Sequence, residues 1–589
     1  MRSRSLLLLL VLAWASPAAA QISLVGDWSS RMHEDPTRGS SELGDFTGLP
    51  VTKQAIAEAD VWDESRWTLQ EMQCIPHSST WAFRGPAQIR IWEEKDQTTQ
   101  DVIAIKTFIA TFAQTRTIWM DGRPRPSQYA AHTWQGFSLG RWEGNMLVVE
   151  TTHLKRFFRR RNGVPESDRI TQTEYFIRHG NNYLTHVMSA FDPVYMTEPM
   201  VLSQNFIAVS NVSPAAYQTH VTCQPDEEIG GRAKDYFPHF LPGQTEWIDE
   251  YAKRYGIPWE ATRGGANTIY PEYKAALKEL YKKPNASSAP ATPEARPAVA
   301  PPSRPPQGDD LEIVQVKPDV YMIAGGGAAN VTVNVGSQGL FVVDSGSEAM
   351  SAKTVAAIRR ISDKPIRYLV NTSADLDHVG GNPAVDKLGA AIPTRELIEE
   401  GAVIIAHEKV LHRMSAPTGK VSPTPVAAWP TATFFVERKD MYVNEQPIQL
   451  FWEPAAHTDG DVIVLFRRSD VISAGDIFDK TRYPAIDLAR GGSINGEIAA
   501  IRHLLDLIVT GEKEEGGTLV VPGHGRLCDE REVSNYRDML IIVRDRVQDM
   551  IKKGMALEQV KAAKPTFEFD PEYGASDAFV EAVYQSLRK

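Results

Sequence analysis

The sequence predicts a two-part chain of mixed α and β structure: a mostly antiparallel β domain, then a domain in which strands alternate with helices. Three observations carry this. Short β-like runs with turn residues between them fill the first half, strands and helices alternate through the second, and a proline-rich stretch divides the two. At 589 residues the chain has room for two domains or more. Hydrophobic residues at 42% and charged residues at 23% are globular values, which exclude a wholly disordered or fibrous chain. Lys and Arg number 63 against 74 Asp and Glu, a net charge of −11. That acidity argues against nucleic acid as a partner, since phosphate binding needs a cationic surface. Three cysteines exclude a disulfide-stapled scaffold or a Cys-rich zinc module.

Residues 1–20 read as a cleaved secretory signal. Arg2 and Arg4 precede a short apolar run from Leu6 to Ala15, and Ala18, Ala19 and Ala20 precede Gln21. The run is too short for a membrane span, which needs about 20 apolar residues. A secreted protein is expected, in the periplasm of a bacterium, with no membrane span. Export permits a Cys74–Cys223 bridge, while Cys528 stands alone in the second half.

The β-rich domain spans 21–283. Gln88 to Trp92 reads as a strand, as do Thr117 to Met120 before Asp121-Gly122 and Met146 to Thr151 after Gly144-Asn145. Tyr175 to Arg178 and Tyr183 to Met188, split by Gly180-Asn181-Asn182, read as a hairpin. The whole is expected to form a barrel or sandwich, with helices near its end around Thr245 to Tyr255 and Pro271 to Tyr281. It resembles uncharacterised domains of exported bacterial proteins, which implies no activity. Residues 284–308 hold eight prolines between Pro284 and Pro306, a solvated spacer that cannot bury a core. The second domain, 309–589, opens with strands at Glu312 to Val316, Val320 to Ile323, Val331 to Val335 and Leu340 to Val343. A helix from Ala352 to Ile361 and a strand from Ile366 to Val370 follow, and the chain ends in a helical tail from Glu532 to Lys553.

Four segments of this domain concentrate metal-ligand side chains at strand ends. They are Asn371 to Asn382 (NTSADLDHVGGN), His457 to Asp461 (HTDGD), Ala474-Gly475-Asp476, and Val521 to Gly525 (VPGHG). Apolar strands that each deliver a carboxylate or imidazole at one end are how α/β folds build a site. The four motifs in this order resemble the metallo-β-lactamase superfamily, over most of Asp309 to Met550. The resemblance implies an αββα sandwich and a metal-dependent hydrolase. It maps Asp377 and His378 onto the fifth and sixth positions of the family's His-x-His-x-Asp-His motif, His457 onto the next ligand, Asp476 onto the bridging position and His524 onto the last.

The match departs from the family at Ser373 and Asp375, which stand where the motif has its first two histidines. The first metal position therefore lacks two imidazoles, though the Asp375 carboxylate and His457 could still bind zinc. The second keeps Asp377, His378, Asp476 and His524. That mixed nitrogen and oxygen set suits Zn²⁺, and its ligand types also admit Fe or Mn. One ion per chain is expected, and a second if Asp375 and His457 suffice. A zinc ion lowers the pKa of its water from roughly 15.7 to about 7. Asp375 or Asp377 would orient that water or accept its proton, and His457 would bind the substrate oxygen. The expected reaction is hydrolysis of an ester, thioester, lactone or lactam of a small-molecule substrate. The alternative is a non-catalytic module holding a structural metal.

Other residues have plainer readings. Asp344 and Asp461 read as turn residues or as supports for the ligands. Lys480 and Arg482 are candidates for an anionic substrate group. His407, His412 and His503, in helix-like stretches, and His33, His77, His132, His153, His179, His186, His220 and His239 in the first domain lack ligand spacing.

Overall fold

The computed structural model describes residues 23–31, 42–82, 88–109, 114–158, 162–210, 226, 229–233, 235–244, 248–281, 310–390, 401–415, 420–511 and 515–588. The expected signal segment, the proline-rich spacer and Cys223 lie outside them. Cys74 is disulfide-bonded, and Cys528 is a buried free thiol.

The first domain is a closed barrel. Its strands run Gly26–Arg31, Met200–Val209, Tyr183–Phe191, Thr171–His179, Met146–Thr152, Phe137–Glu143, Gln114–Trp119, Val102–Ile109 and Gln88–Lys95, the last pairing back onto the first. Neighbours are antiparallel except Gln114–Trp119 against Phe137–Glu143. The hairpin forms with Tyr183 opposite His179, and burial alternates along Tyr183–Phe191, so one face of the strand turns inward. Trp28, Ile105, Leu147, Phe176 and Phe206 fill the core. One polar network is buried with them. The Arg116 guanidinium pairs with Glu174 and donates to Thr151 at 2.6 Å and Ser138 at 3.1 Å, and His186 meets Glu174 at 2.9 Å. Burial alone would raise Glu174, but Arg116 and His186 outweigh it and hold the carboxyl down at about 2. The helices near the end of the domain form at Ile248–Tyr255 and Pro271–Tyr281.

The second domain is a sandwich of two mixed sheets. One has seven strands, Leu311–Lys317, Val320–Gly325, Val331–Gly336, Gly339–Val343, Ile366–Val370, Val403–His407 and Ala432–Phe434. The other has five, Arg438–Val443, Gln446–Glu453, Asp461–Phe466, Val471–Ser473 and Leu519–Val521. Phe341, Val343 and Val370 meet Leu450, Val464 and Phe466 between them. The helix Ser351–Ile361 covers one outer face through Ala357 and Ile358. Ile494–Leu507, Glu530–Lys552 and Asp577–Arg588 cover the other, with Leu504, Leu540 and Val583 in one apolar cluster. The layers are α, β, β, α. His407 departs from its expected helix: it ends a strand and stacks on Trp452 at 4.4 Å between ring centroids. Among the described residues no helix is long and apolar enough to cross a membrane.

The barrel domain is built into the flank of the sandwich domain. Phe237 packs in the helical cluster and Tyr129 in the core between the sheets. Charged groups cross the junction in buried form. Lys155 meets Asp529 at 2.5 Å with both side chains buried, and Arg156 joins Glu58 at 2.6 Å to Glu572 at 2.9 Å. Removing one partner of a buried pair leaves the other charge uncompensated, at about 3–5 kcal/mol. Lys155→Ala should therefore lower unfolding stability by that order. Arg141→Ala, which breaks an exposed pair with Glu150, should leave stability nearly unchanged, because solvent screens that pair. Denaturant titration separates the two, and equally small losses would mean that the junction holds no costly charge.

Candidate metal centre

The loops of the centre leave adjacent strand ends. After Ile366–Val370 the chain runs through Asn371 to Asp375, which starts the short helix Leu376–Val379 with His378 buried in it. After Val471–Ser473 it turns tightly at Gly475–Ile477, placing Asp476. After Leu519–Val521 it reaches His524, and His457 lies in the connection before Asp461–Phe466. Backbone bonds lock these loops together: Gly523 N donates to Gly475 O at 2.9 Å, Lys480 N to His524 O at 3.0 Å and Val462 N to Thr372 O at 3.0 Å. Two glycines are required by close approach. Gly475 has φ +54° and a Cβ there would stand 2.6 Å from Thr372 Oγ1, while a Cβ on Gly523 would stand 2.5 Å from Asp476 Oδ1.

Four donor atoms converge. His378 Nε2 lies 3.1 Å from Asp476 Oδ1, and His524 Nε2 lies 3.1 Å from Asp377 Oδ2 and 3.5 Å from Asp476 Oδ1. A tetrahedron with metal–ligand bonds of about 2.0 Å has edges of about 3.3 Å, and these three separations fall near that value. His378 Nε2, Asp476 Oδ1 and His524 Nε2 are buried and make no aligned hydrogen bond. Native interiors satisfy such atoms, and three orphans facing one point fit a metal ion. Asp344 supports the set. Its carboxylate faces His378 Nδ1 at 2.9 Å and accepts from the Thr372 amide at 2.8 Å, which leaves Nε2 as the metal-facing nitrogen. Burial would lower His378, but Asp476 and Asp344 outweigh it and hold the ring well above its ordinary range. Burial would raise Asp476 and Asp377, yet the neighbouring histidines hold both below the ordinary carboxylate range.

The first position is built differently. The Asp375 carboxylate takes His457 Nε2 at 2.6 Å on one oxygen and Arg490 Nη1 at 2.7 Å on the other. His457 Nδ1 meets the carbonyl of Ala485. Against burial, Asp375 and the carboxylates of Asp461 and Asp476 raise His457 to about 10, and His457 with Arg490 holds Asp375 far down. The Ser373 hydroxyl accepts the Asp375 amide at 3.2 Å. Asp461 bonds the amide of Thr458 at 2.6 Å and its hydroxyl at 2.7 Å, and burial pushes its carboxyl up to about 6.

All six sequence-predicted ligands are thus together. Asp377, His378 and His524 form one group with Asp476 beside them, and Asp375, His457 and Asp476 form the other. Both open on a cleft of about 430 Å³ that Arg413, Arg482 and Arg490 also line. Of the two cations expected at the substrate, only Arg482 lines it. Lys480 is turned away into a buried pair with Asp168 of the barrel domain at 3.0 Å, because that carboxylate offers it a desolvated partner. Asp479, which holds Arg482 Nε at 2.6 Å and gathers with Asp476 and His524, was not singled out, nor were Arg413 and Arg490. Asp479 stands three residues after Asp476, a spacing that a search around each ligand could have found; Arg413 and Arg490 carry no such mark.

Residues 324–524 match the metallo-beta-lactamase superfamily. A linear primary-alkylsulfatase of Pseudomonas sp. (strain ATCC 19151) is 22% identical over 295 residues, 42% of this chain and 53% of that protein. The chain thus spans about half the length of this curated relative. Among solved structures, the stereoselective inverting sec-alkylsulfatase Pisa1 from Pseudomonas sp. is similar at 16% identity and a TM-score of 0.37, over 47% of this chain and 50% of that one. A metallo-beta-lactamase from Pontibacter korlensis is similar at 17% identity and a TM-score of 0.30, over 39% of this chain and 99% of that one.

Metal affinity should follow this geometry. Asp377→Ala and His524→Ala each remove a donor and should abolish tight binding, whereas Ser373→Ala should hardly change it. Asp344→Ala removes only the support of His378 and should weaken binding about 10- to 100-fold. Metal content after dialysis against a competing chelator separates the three classes. Equal loss from Ser373→Ala and Asp377→Ala would put the serine among the ligands.

Proposed function

We propose that this chain, whose C-terminal region has the metallo-β-lactamase fold, is an exported metal-dependent hydrolase holding one divalent ion on Asp377, His378, Asp476 and His524. Two imidazoles and two carboxylates suit Zn²⁺. The observation that carries the reading is the gathering of Asp377, His378 and His524, with Asp476 Oδ1 3.1 Å from His378 Nε2 and 3.5 Å from His524 Nε2, beside an open cleft. Hydrolase relatives within the superfamily support it. Export and a periplasmic location are supported by the pattern of residues 1–20 and by a disulfide at Cys74, since such bonds persist outside the cytosol.

Bound in this set, a divalent ion supplies Lewis acidity and lowers the pKa of water near it toward neutrality. The chain's own groups do the rest. Asp344 fixes the ring of His378, and Asp461 fixes the turn that carries His457. Asp377 keeps about a third of its side chain exposed toward the cleft, where it can accept a proton at its carboxylate. Arg490 and Arg482 line the cleft as cations for negative charge on a substrate oxygen, while His457, bonded at both ring nitrogens, holds Asp375 in place. The bond cleaved is an ester, thioester, lactone or lactam, and the alkylsulfatase relative adds sulfate esters to the set worth assaying. The second reading, a non-catalytic module with a structural metal, is favoured by Ser373 and by the engagement of Asp375 with Arg490.

Purified full-length chain should hydrolyse at least one of an aryl ester, a lactone, a β-lactam and an alkyl sulfate. Chelation should abolish the activity, added zinc should restore it, and Asp377→Ala should lower kcat/KM by at least about 100-fold, as for loss of a group acting in the transition state. A chain that holds its metal yet turns over none of the four supports the structural-metal reading instead.

A further inference from the structure

Arg490 is set into the centre by a built node. It closes the turn Leu488–Arg490, which Asp487 caps by accepting the amides of Ala489 at 3.0 Å and Arg490 at 2.9 Å. Its carbonyl accepts from Asp459 N at 2.9 Å and from Arg413 Nη2 at 3.1 Å. Its guanidinium is held by Asp375 at 2.7 Å and Asp487 at 3.2 Å. The side chain is still 38% exposed, and among the described residues its Nη2 makes no hydrogen bond. Arg482, anchored through Nε to Asp479, is 48% exposed and lines the same cleft.

We propose that Arg490 supplies the cation of the first position, in place of a metal ion, and that its guanidinium receives an oxyanion group of the substrate. The substrates are then esters that carry a sulfate, phosphate or carboxylate group. A planar guanidinium pinned through Nε by Asp487 and through Nη1 by Asp375 keeps Nη2 aimed, as a charge-assisted donor to an oxyanion. Arg490 sits on one Asp375 oxygen while the other faces His457, so the pair neutralises the carboxylate that a metal at the group formed by Asp375, His457 and Asp476 would otherwise draw on. This deepens the hydrolase reading and rests on it for the cleaved bond, but not for anion binding or metal stoichiometry.

The test uses the zinc-loaded full chain and inorganic phosphate or sulfate as the probe, followed by calorimetry at low salt. Wild type should hold about one zinc and bind the anion. Arg490→Ala should bind it at least about tenfold more weakly, the loss expected for a charge-assisted hydrogen-bond pair. Arg490→Lys should fall between the two, because a point charge keeps attraction without the fork. Circular dichroism checks that both variants fold. Two zinc ions in wild type would overturn the proposal while leaving the hydrolase reading intact, as would equal anion affinity in wild type and Arg490→Ala, or no anion binding by wild type. A chain that holds no zinc and hydrolyses nothing but loses anion binding in Arg490→Ala would overturn the hydrolase reading and leave the oxyanion site standing.

Discussion

Asp168 is one carboxylate with two jobs in two domains. It lies in the barrel domain and receives Lys480 at 3.0 Å and Arg526 at 2.8 Å, both from the sandwich domain. Lys480 stands four residues after Asp476, and Arg526 two residues after His524. The same contact that joins the domains therefore ties down the two loops that bring these ligands in from neighbouring strands. Burial would raise Asp168, but Lys480 and Arg526 outweigh it and hold the carboxyl well below the ordinary range. With the interior of the barrel occupied by Trp28, Phe176, Phe206 and the Arg116–Glu174 pair, the outer surface is where this domain acts on the site. A buried pair offers little net stability over apolar packing. What it does fix is register, here between a barrel loop and two ligand loops.

Inside that frame the centre is held against its own preferences. Each buried donor or acceptor without a partner costs about 1–3 kcal/mol, and three such atoms face one another around Asp476. The loops do not relax to satisfy them because their backbones are fully used. Gly523 N bonds both Gly475 O and Phe478 O at 2.9 Å, and Ala474 N bonds Val521 O at 2.9 Å. An ion that satisfies the three atoms returns this energy as binding, which couples metal affinity to the stability of the sandwich.

Much of this was legible in the sequence where the signal was local. Strands ending in Asn371–His378, Asp476 and His524 could be read because each motif is a few residues long and follows an apolar run. The alternation of Tyr183 to Met188 marked a β-strand, but closure of the barrel depends on Gly26–Arg31 pairing with two distant strands, and no local pattern carries that. Asp344 was ambiguous alone; only the fold brings it to His378, 34 residues later. Arg490 and Asp375 are 115 residues apart, and Asp168 and Arg526 are 358 apart. Lys480 was misread for the same reason. An exposed and a buried lysine look alike until the partner from another domain is in place.

The departure at Ser373 and Asp375 makes sense only with those distant partners in view. Replacing an imidazole by a carboxylate adds negative charge to a pocket that already holds Asp377 and Asp476 within a few ångströms, and without compensation that charge would be costly. Arg490 supplies the compensation, seated on the carboxylate at 2.7 Å, and His457 adds a second contact at 2.6 Å. The serine fits the same logic. With a guanidinium satisfying Asp375, position 373 no longer needs a ligand, and its hydroxyl instead holds the Asp375 amide at 3.2 Å, fixing the loop that points the carboxylate at Arg490. Ser373, Asp375 and Arg490 thus form one hydrogen-bonded unit. Restoring a histidine at 375 alone would leave Arg490 paired only with Asp487 and would not rebuild a nitrogen triad, since position 373 would still carry a serine.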